Sequence, residues 1–215
     1  MKNKQKRKGK GRGIMNRSDI PYAQRMALKH QNDIIVNRNH AAKITMYCNS
    51  VAMHELEGIG YKRLIRFAQH FKEIIDEFYE DPEVGMAHAK RRLAQMGIDI
   101  SGDFYSIQID GLSKKEQEIQ DHRLQAVQIA LICNAIAMND MFGFGQERQD
   151  RIAEKAQEYS ARYAKEGEKF LLEKMEKIGF VIDDGEVIAF ADDDGNAITP
   201  KQWLEQREKE EALRC

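Results

Sequence analysis

The feature that most restricts how this chain can fold is that it matches itself at an offset of 85 positions. Arg38 falls on Arg123, Ala41 on Ala126, Ile44 on Ile129, Cys48 on Cys133, Asn49 on Asn134, Ala52 on Ala137 and Met53 on Met138. The same offset then pairs Gly58 with Gly143, Gly60 with Gly145, Arg63 with Arg148 and Arg66 with Arg151. Beyond Arg66 residue identity fades while apolar phase persists, Phe67, Phe71, Ile74 and Phe78 meeting Ile152, Ala156, Tyr159 and Tyr163. Such persistence is the mark of a repeated structural unit whose buried face is kept.

After a short deletion, Leu93, Met96 and Gly97 meet Met175, Ile178 and Gly179, and the match runs on through Gly102 and Gly185. The copies therefore run roughly from 32 to 112 and from 117 to 198. This predicts a mainly α protein with small β-hairpins, a tandem duplication of a three-helix plus hairpin unit. The layout is a basic arm over 1–17, a first helical repeat over 18–112, a second over 113–198 and a charged C-terminal helix over 199–215.

Periodicity assigns the elements. Ala41, Ile44, Cys48 and Val51, like Ala126, Ile129, Cys133 and Ile136, recur at helical spacing and form one stripe on an amphipathic first helix in each copy. Ser113 is placed to cap the second of these. Each G-x-G ends the helix, because glycine takes the left-handed conformation of a C-terminal cap. A second helix follows at once, and Pro82 opens a third that ends at Gly97, as its counterpart ends at Gly179. The alternation in Asp99–Ile109 and Val181–Phe190, with turns at Ser101-Gly102 and Asp184-Gly185, predicts two hairpins. From Thr199 a helix carrying Trp203 and Leu204 resembles the start of a third copy.

Charge divides the chain unevenly. Lys2, Lys4, Lys6, Arg7, Lys8, Lys10, Arg12 and Arg17 come with no acid in the first 17 residues, so against an overall charge of −1 the remainder carries −9. A basic arm of this kind buries too little apolar surface to offset its conformational entropy, and it reads either as a ligand for anionic surfaces such as DNA or RNA or as a solubilising tail. The acidic remainder argues against extended DNA contact. Three cysteines without a C-x-x-C pair suggest neither zinc nor a disulfide framework and fit a reducing, cytoplasmic setting. No apolar run reaches membrane-spanning length, so no membrane association is expected.

The most distinctive candidate site is Gly58-Ile59-Gly60-Tyr61-Lys62-Arg63-Leu64-Ile65-Arg66, repeated at Gly143–Arg151. Free N–H groups at a helix start and two arginines on one face suit a phosphate or a partner's carboxylate. The plainer reading is a tight interhelical turn with the arginines paired to Glu55, Glu57, Asp140 or Glu147, and the missing P-loop lysine favours it. Candidate binding residues are thus Lys4, Lys6, Arg7, Lys8, Lys10 and Arg12 of the arm, with Lys62, Arg63, Arg66, Arg148 and Arg151.

The other chemistry is sparse. Cys48 and Cys133 sit among small apolar neighbours and read as core residues. Six histidines (His30, His40, His54, His70, His88 and His122) lack metal-ligand spacing, and Asp192-Asp193-Asp194-Gly195 lacks the remaining ligands of a calcium loop and reads as a turn. No serine elbow, kinase signature or dinucleotide fingerprint is present, so no cofactor, metal or catalytic residue is nominated and an enzyme is the disfavoured class.

The segment Asp140-Met141-Phe142-Gly143-Phe144-Gly145-Gln146-Glu147-Arg148 resembles a pattern in uncharacterised small helical proteins of phages and prophages of Gram-positive bacteria, in which F-G-F-G-x-x-R follows an alanine-rich helix. The resemblance covers residues 122–152 closely and 37–66 loosely, since Glu57 stands where the pattern has an aromatic. It implies a mobile-element origin and a non-catalytic protein that binds a host or phage protein or nucleoprotein, for example a defence-system inhibitor. The alternative is a nucleic-acid binder using the arm and the arginines after each G-x-G. A metal-dependent hydrolase ranks third, and the fragment near Trp203 offers a homodimer contact.

Overall fold

The computed structural model describes residues 22–80, 82–100, 111–183, 186–188, 190–191, 197–199 and 201–205. The basic arm, with Lys4, Lys6, Arg7, Lys8, Lys10 and Arg12, lies outside them, as do the Ser101-Gly102 and Asp184-Gly185 turns, the Asp192–Gly195 run and Cys215. Six helices dominate the described residues: α1 (Tyr22–Glu57), α2 (Tyr61–Glu80), α3 (Pro82–Met96), α4 (Lys114–Phe142), α5 (Gln146–Glu166) and α6 (Glu168–Ile178). α1 begins ten residues before the self-match of the sequence does. Between Pro21 and Gly58 there is neither glycine nor proline, so nothing in the chain interrupts it.

Two antiparallel ribbons follow α6. β1 (Val181–Asp183) pairs with β2 (Glu186–Ile188) in the register Val181 to Ile188, as the alternation predicts. Phe190, expected to close that hairpin, instead begins β3 (Phe190–Ala191), which pairs with β4 (Ala197–Ile198) in a second ribbon. Most of the hairpin expected over Asp99–Ile109 falls outside the described residues. At the far end, Thr199 Oγ1 accepts from the Gln202 N–H, 3.3 Å, while Gln202 Oε1 accepts from the Thr199 N–H, 3.0 Å, starting the short helix over 201–205.

The two G-x-G corners are built alike. Gly58 and Gly143 have φ of +64° and +65°, a conformation that favours glycine, and they donate to His54 O at 3.0 Å and Asn139 O at 2.8 Å. The next residues, Ile59 and Phe144, donate to Met53 O and Met138 O, 3.4 Å in both cases. Even the side-chain closures correspond: His54 Nδ1 lies 3.0 Å from Ile59 O, and Asn139 Nδ2 donates to Phe144 O at 3.1 Å. One helical turn or more before each corner, Asn49 donates to Thr45 O and Asn134 to Ala130 O. The third helices end alike too, Ile98 donating to Leu93 O and Phe180 to Met175 O.

Packing crosses between the halves. α1 lies against α4, α5 and α6, whereas α4 lies against α1, α2 and α3, so each half supplies the long helix that the other half's second and third helices cover. His30 meets Glu118 near the start of α4, and Asn49 and Asn134 share a cavity wall near the ends of both helices, so α1 and α4 run side by side in the same direction. The expected stripes are buried in full, Ala41, Ile44, Cys48 and Val51 together with Ala126, Ile129, Cys133 and Ile136. Apolar residues of both halves join in one continuous cluster, centred on Met53, Phe67, Ile136, Ile152 and Leu171. Removing such side chains from water is the main favourable contribution to the fold.

Candidate functional site

Because α1 and α4 are parallel, both glycine corners lie at the same end of the molecule, and α2 and α5 start there. Lys62, Arg63, Arg66, Arg148 and Arg151 are exposed on those two first turns. The arrangement follows from local sequence. Gly60 and Gly145 stand before the helices without a capping side chain, so Leu64 and Gln149 donate to their carbonyls at 3.1 Å while the first N–H groups of α5 have no side-chain cap.

The structure treats three of the four matched arginines in two ways. The Arg63 guanidinium carbon lies 4.9 Å from the centre of the Phe142 ring, and that of Arg148 lies 5.4 Å from the Phe144 ring. Phe142 and Phe144 are themselves 5.3 Å apart, and Phe67 stacks on Phe142 from below at 6.1 Å. Two guanidinium groups from different halves thus rest on a shared aromatic cluster, which orients them without neutralising them. Arg151 instead pairs with Glu57 at 3.2 Å. Pairing with acids was the expectation for all four; Arg63 and Arg148 rest on rings instead, and the carboxylate of Glu57 that holds Arg151 has an aromatic ring, Phe142, at its matched position.

Below this face the acids are engaged. Glu55 accepts from Lys174 at 2.8 Å and from the Tyr159 hydroxyl, and those hydrogen bonds hold its carboxyl below the usual carboxylate range despite partial burial. Asp140, its match, is held by Arg92 at 2.5 Å and His70 at 2.9 Å. Both carboxylates are thus occupied by donors from the opposite half. Sequence reasoning missed this layer, since the partners come from the second and third helices of the opposite half and no short-range spacing marks them.

The remaining candidates are placed plainly. Cys48 and Cys133 are buried, and burial pushes both thiols up to about 12, which leaves them unreactive as nucleophiles. Among the described residues no group of three or more His, Cys, Asp or Glu side chains is positioned to hold a metal ion. No described helix is long and apolar enough to cross a membrane. Comparison with family models, with curated proteins and with solved structures finds no match for this chain.

Proposed function

We propose that this is a non-catalytic binding protein of phage or prophage origin, a tandem duplication whose corner face docks on an anionic surface of a host or phage protein or nucleoprotein. The observation that carries the reading is the convergence of Arg63 and Arg148, from separate halves, on the Phe67, Phe142 and Phe144 cluster, with Lys62, Arg66 and Arg151 at the same end. Guanidinium groups seated on rings keep their planar donor edges for a partner's carboxylate or phosphate. The duplication is supported by the matching hydrogen bonds at the two corners and by the reciprocal packing of the long helices. The F-G-F-G-x-x-R resemblance supports the mobile-element origin.

The test is capture of partners from a native host lysate by the full chain and by an Arg63→Ala/Arg148→Ala variant. The reading expects a protein or nucleoprotein retained by the first, lost by the second and released by added salt. Equal capture by both, with both folded, sinks the corner face as the docking surface.

A second reading is favoured by the uncapped N-terminus of α5 beside Arg148: direct binding of DNA or RNA by the corner face and the arm. It expects the purified chain to shift a nucleic-acid probe alone, with affinity falling steeply as salt rises and falling again when residues 1–14 are deleted. A probe that never shifts at low salt discards it.

A further inference from the structure

The matched halves contain matched clefts that have diverged. One is bounded by Leu64, Ile65, Ala68, Met175, Phe180 and Val187, against Met46 of α1, and encloses about 290 Å³. The other lies at the corresponding positions, with Gln149, Asp150, Ala153 and Ile98 where the first has Leu64, Ile65, Ala68 and Phe180, and encloses about 60 Å³. The difference has a visible cause. Gln149 turns its amide onto Ala135 O at 3.1 Å and Phe144 O at 2.9 Å and is itself buried, so the second cleft is occupied by its own hydrogen-bonded side chain. Leu64 cannot do this, and its cleft is left apolar and several times larger.

An unfilled apolar space forfeits dispersion contacts that a well-packed interior makes, so a cleft kept open beside a closed twin points to an occupant. Its polar groups restrict what that occupant is. Ser50 adds a buried hydroxyl to the wall, Tyr47 and Gln69 line it as well, and Lys72, one turn beyond Ala68 on α2, adds a cation at the margin, where the twin has neutral Gln157. Among the described residues Lys72 pairs with the exposed Asp76 on its own helix, 2.8 Å away, a contact that an incoming anion can replace at little cost. We propose that this cleft binds a small amphiphile with an apolar body and a carboxylate head, of the medium-chain fatty acid class, the chain lying between α1, α2 and Phe180 and the head meeting Lys72. The inference stands on the comparison of the two clefts and is independent of the corner face and its partner.

Isothermal titration of the full chain with sodium octanoate, below its micelle concentration, tests it. The expected result is binding with one molecule per chain, at least tenfold weaker binding of octylammonium, and loss of octanoate binding in Ala68→Phe, which fills the cleft. Ala153→Phe, the same change in the twin, is expected to leave binding within twofold. Should Ala68→Phe fail to fold, Lys72→Glu, an exposed change, is expected to weaken octanoate at least tenfold. The proposal is overturned by the absence of octanoate binding, by equal binding of octylammonium, or by binding that survives Ala68→Phe or Lys72→Glu in a folded chain. Lysate capture through the corner face is unaffected by either result, so the two readings fail separately.

Discussion

Lys174 donates to Glu55 across 2.8 Å, from the third helix of one half to the long helix of the other, and Arg92 repeats the arrangement on Asp140 in the opposite sense. Lys174 and Arg92 are matched positions, as are Glu55 and Asp140. Two further contacts follow the same rule: the Tyr61 ring packs edge-on against Phe180 at 4.8 Å, and Gln146, at the position matching Tyr61, bonds to the backbone N–H and carbonyl of Asp99 at 2.6 and 3.2 Å. The first residue of each second helix therefore closes on the end of the other half's third helix, once with rings and once with an amide.

If these ion pairs lock the halves, Asp140→Asn is expected to lower stability by about 1 kcal/mol, above the usual value of an exposed pair because Arg92 and His70 converge on one partly buried carboxylate. Urea unfolding of Asp140→Asn, Arg92→Met and the double variant gives the coupling directly. A coupling of zero removes the lock.

The same group sets an expectation for pH. Partial burial works against a charged imidazole at His70, but its contacts with Asp140 and Glu73 outweigh that and raise its pKa above the usual value. Its contribution is therefore fully present below the unfolded pKa of about 6.5 and is lost as pH rises through the folded value. Glu55 works in the other direction: with its pKa lowered, it contributes above 4.5 and the contribution is lost as pH falls through its folded value. Denaturation midpoints measured from about pH 4 to about pH 9 are expected to decline at both ends. His70→Asn is expected to flatten the alkaline side alone; an unchanged slope there rejects the assignment.

How far the residues announce this fold depends on the range over which each signal acts. The corners, the cap at Ser113, which the structure completes as a box with Glu116, and the ends of α3 and α6 were all legible, because each depends on a few neighbouring residues. The crossing of helices between halves was not, since Ile44 and Ile129 have the same periodicity whichever partner buries them. The site divides along the same line. Its cations were legible as repeated arginines, but their seating on Phe142 and Phe144 depends on α1 and α4 being parallel, which no spacing within one copy encodes.

Two glycines are predicted to respond differently. At Gly143 a Cβ meets nothing within 4 Å, and the cost of alanine is the left-handed backbone alone, about 1 kcal/mol. Gly85, inside α3, sits where a Cβ would lie 2.9 Å from the Phe78 Cα and 3.4 Å from the Glu77 carbonyl oxygen, so α2 and α3 must separate. Overpacking of that kind costs about 1–3 kcal/mol, against a gain of up to about 1 kcal/mol in helix propensity. Thermal melts are expected to fall for both variants. An unchanged or higher melting temperature for Gly85→Ala contradicts the close approach.

Cys48 and Cys133 give the means to ask whether the halves open together. Both thiols are buried, at 2% and 0% exposure, at matched positions on the two long helices, and both belong to the one apolar cluster. In a Cys215→Ser background, a thiol reagent reaches them only when the surrounding packing opens, so each labelling rate measures the free energy of that opening. Since α1 is covered by α5 and α6 and α4 by α2 and α3, exposing either cysteine disrupts helices of the opposite half. The two rates are therefore expected to agree within a few-fold and to accelerate with urea along the same slope as global unfolding. If Cys133 labels far faster than Cys48, with a shallower dependence on urea, the halves open as independent units and the reciprocal packing does not bind them into one cooperative fold.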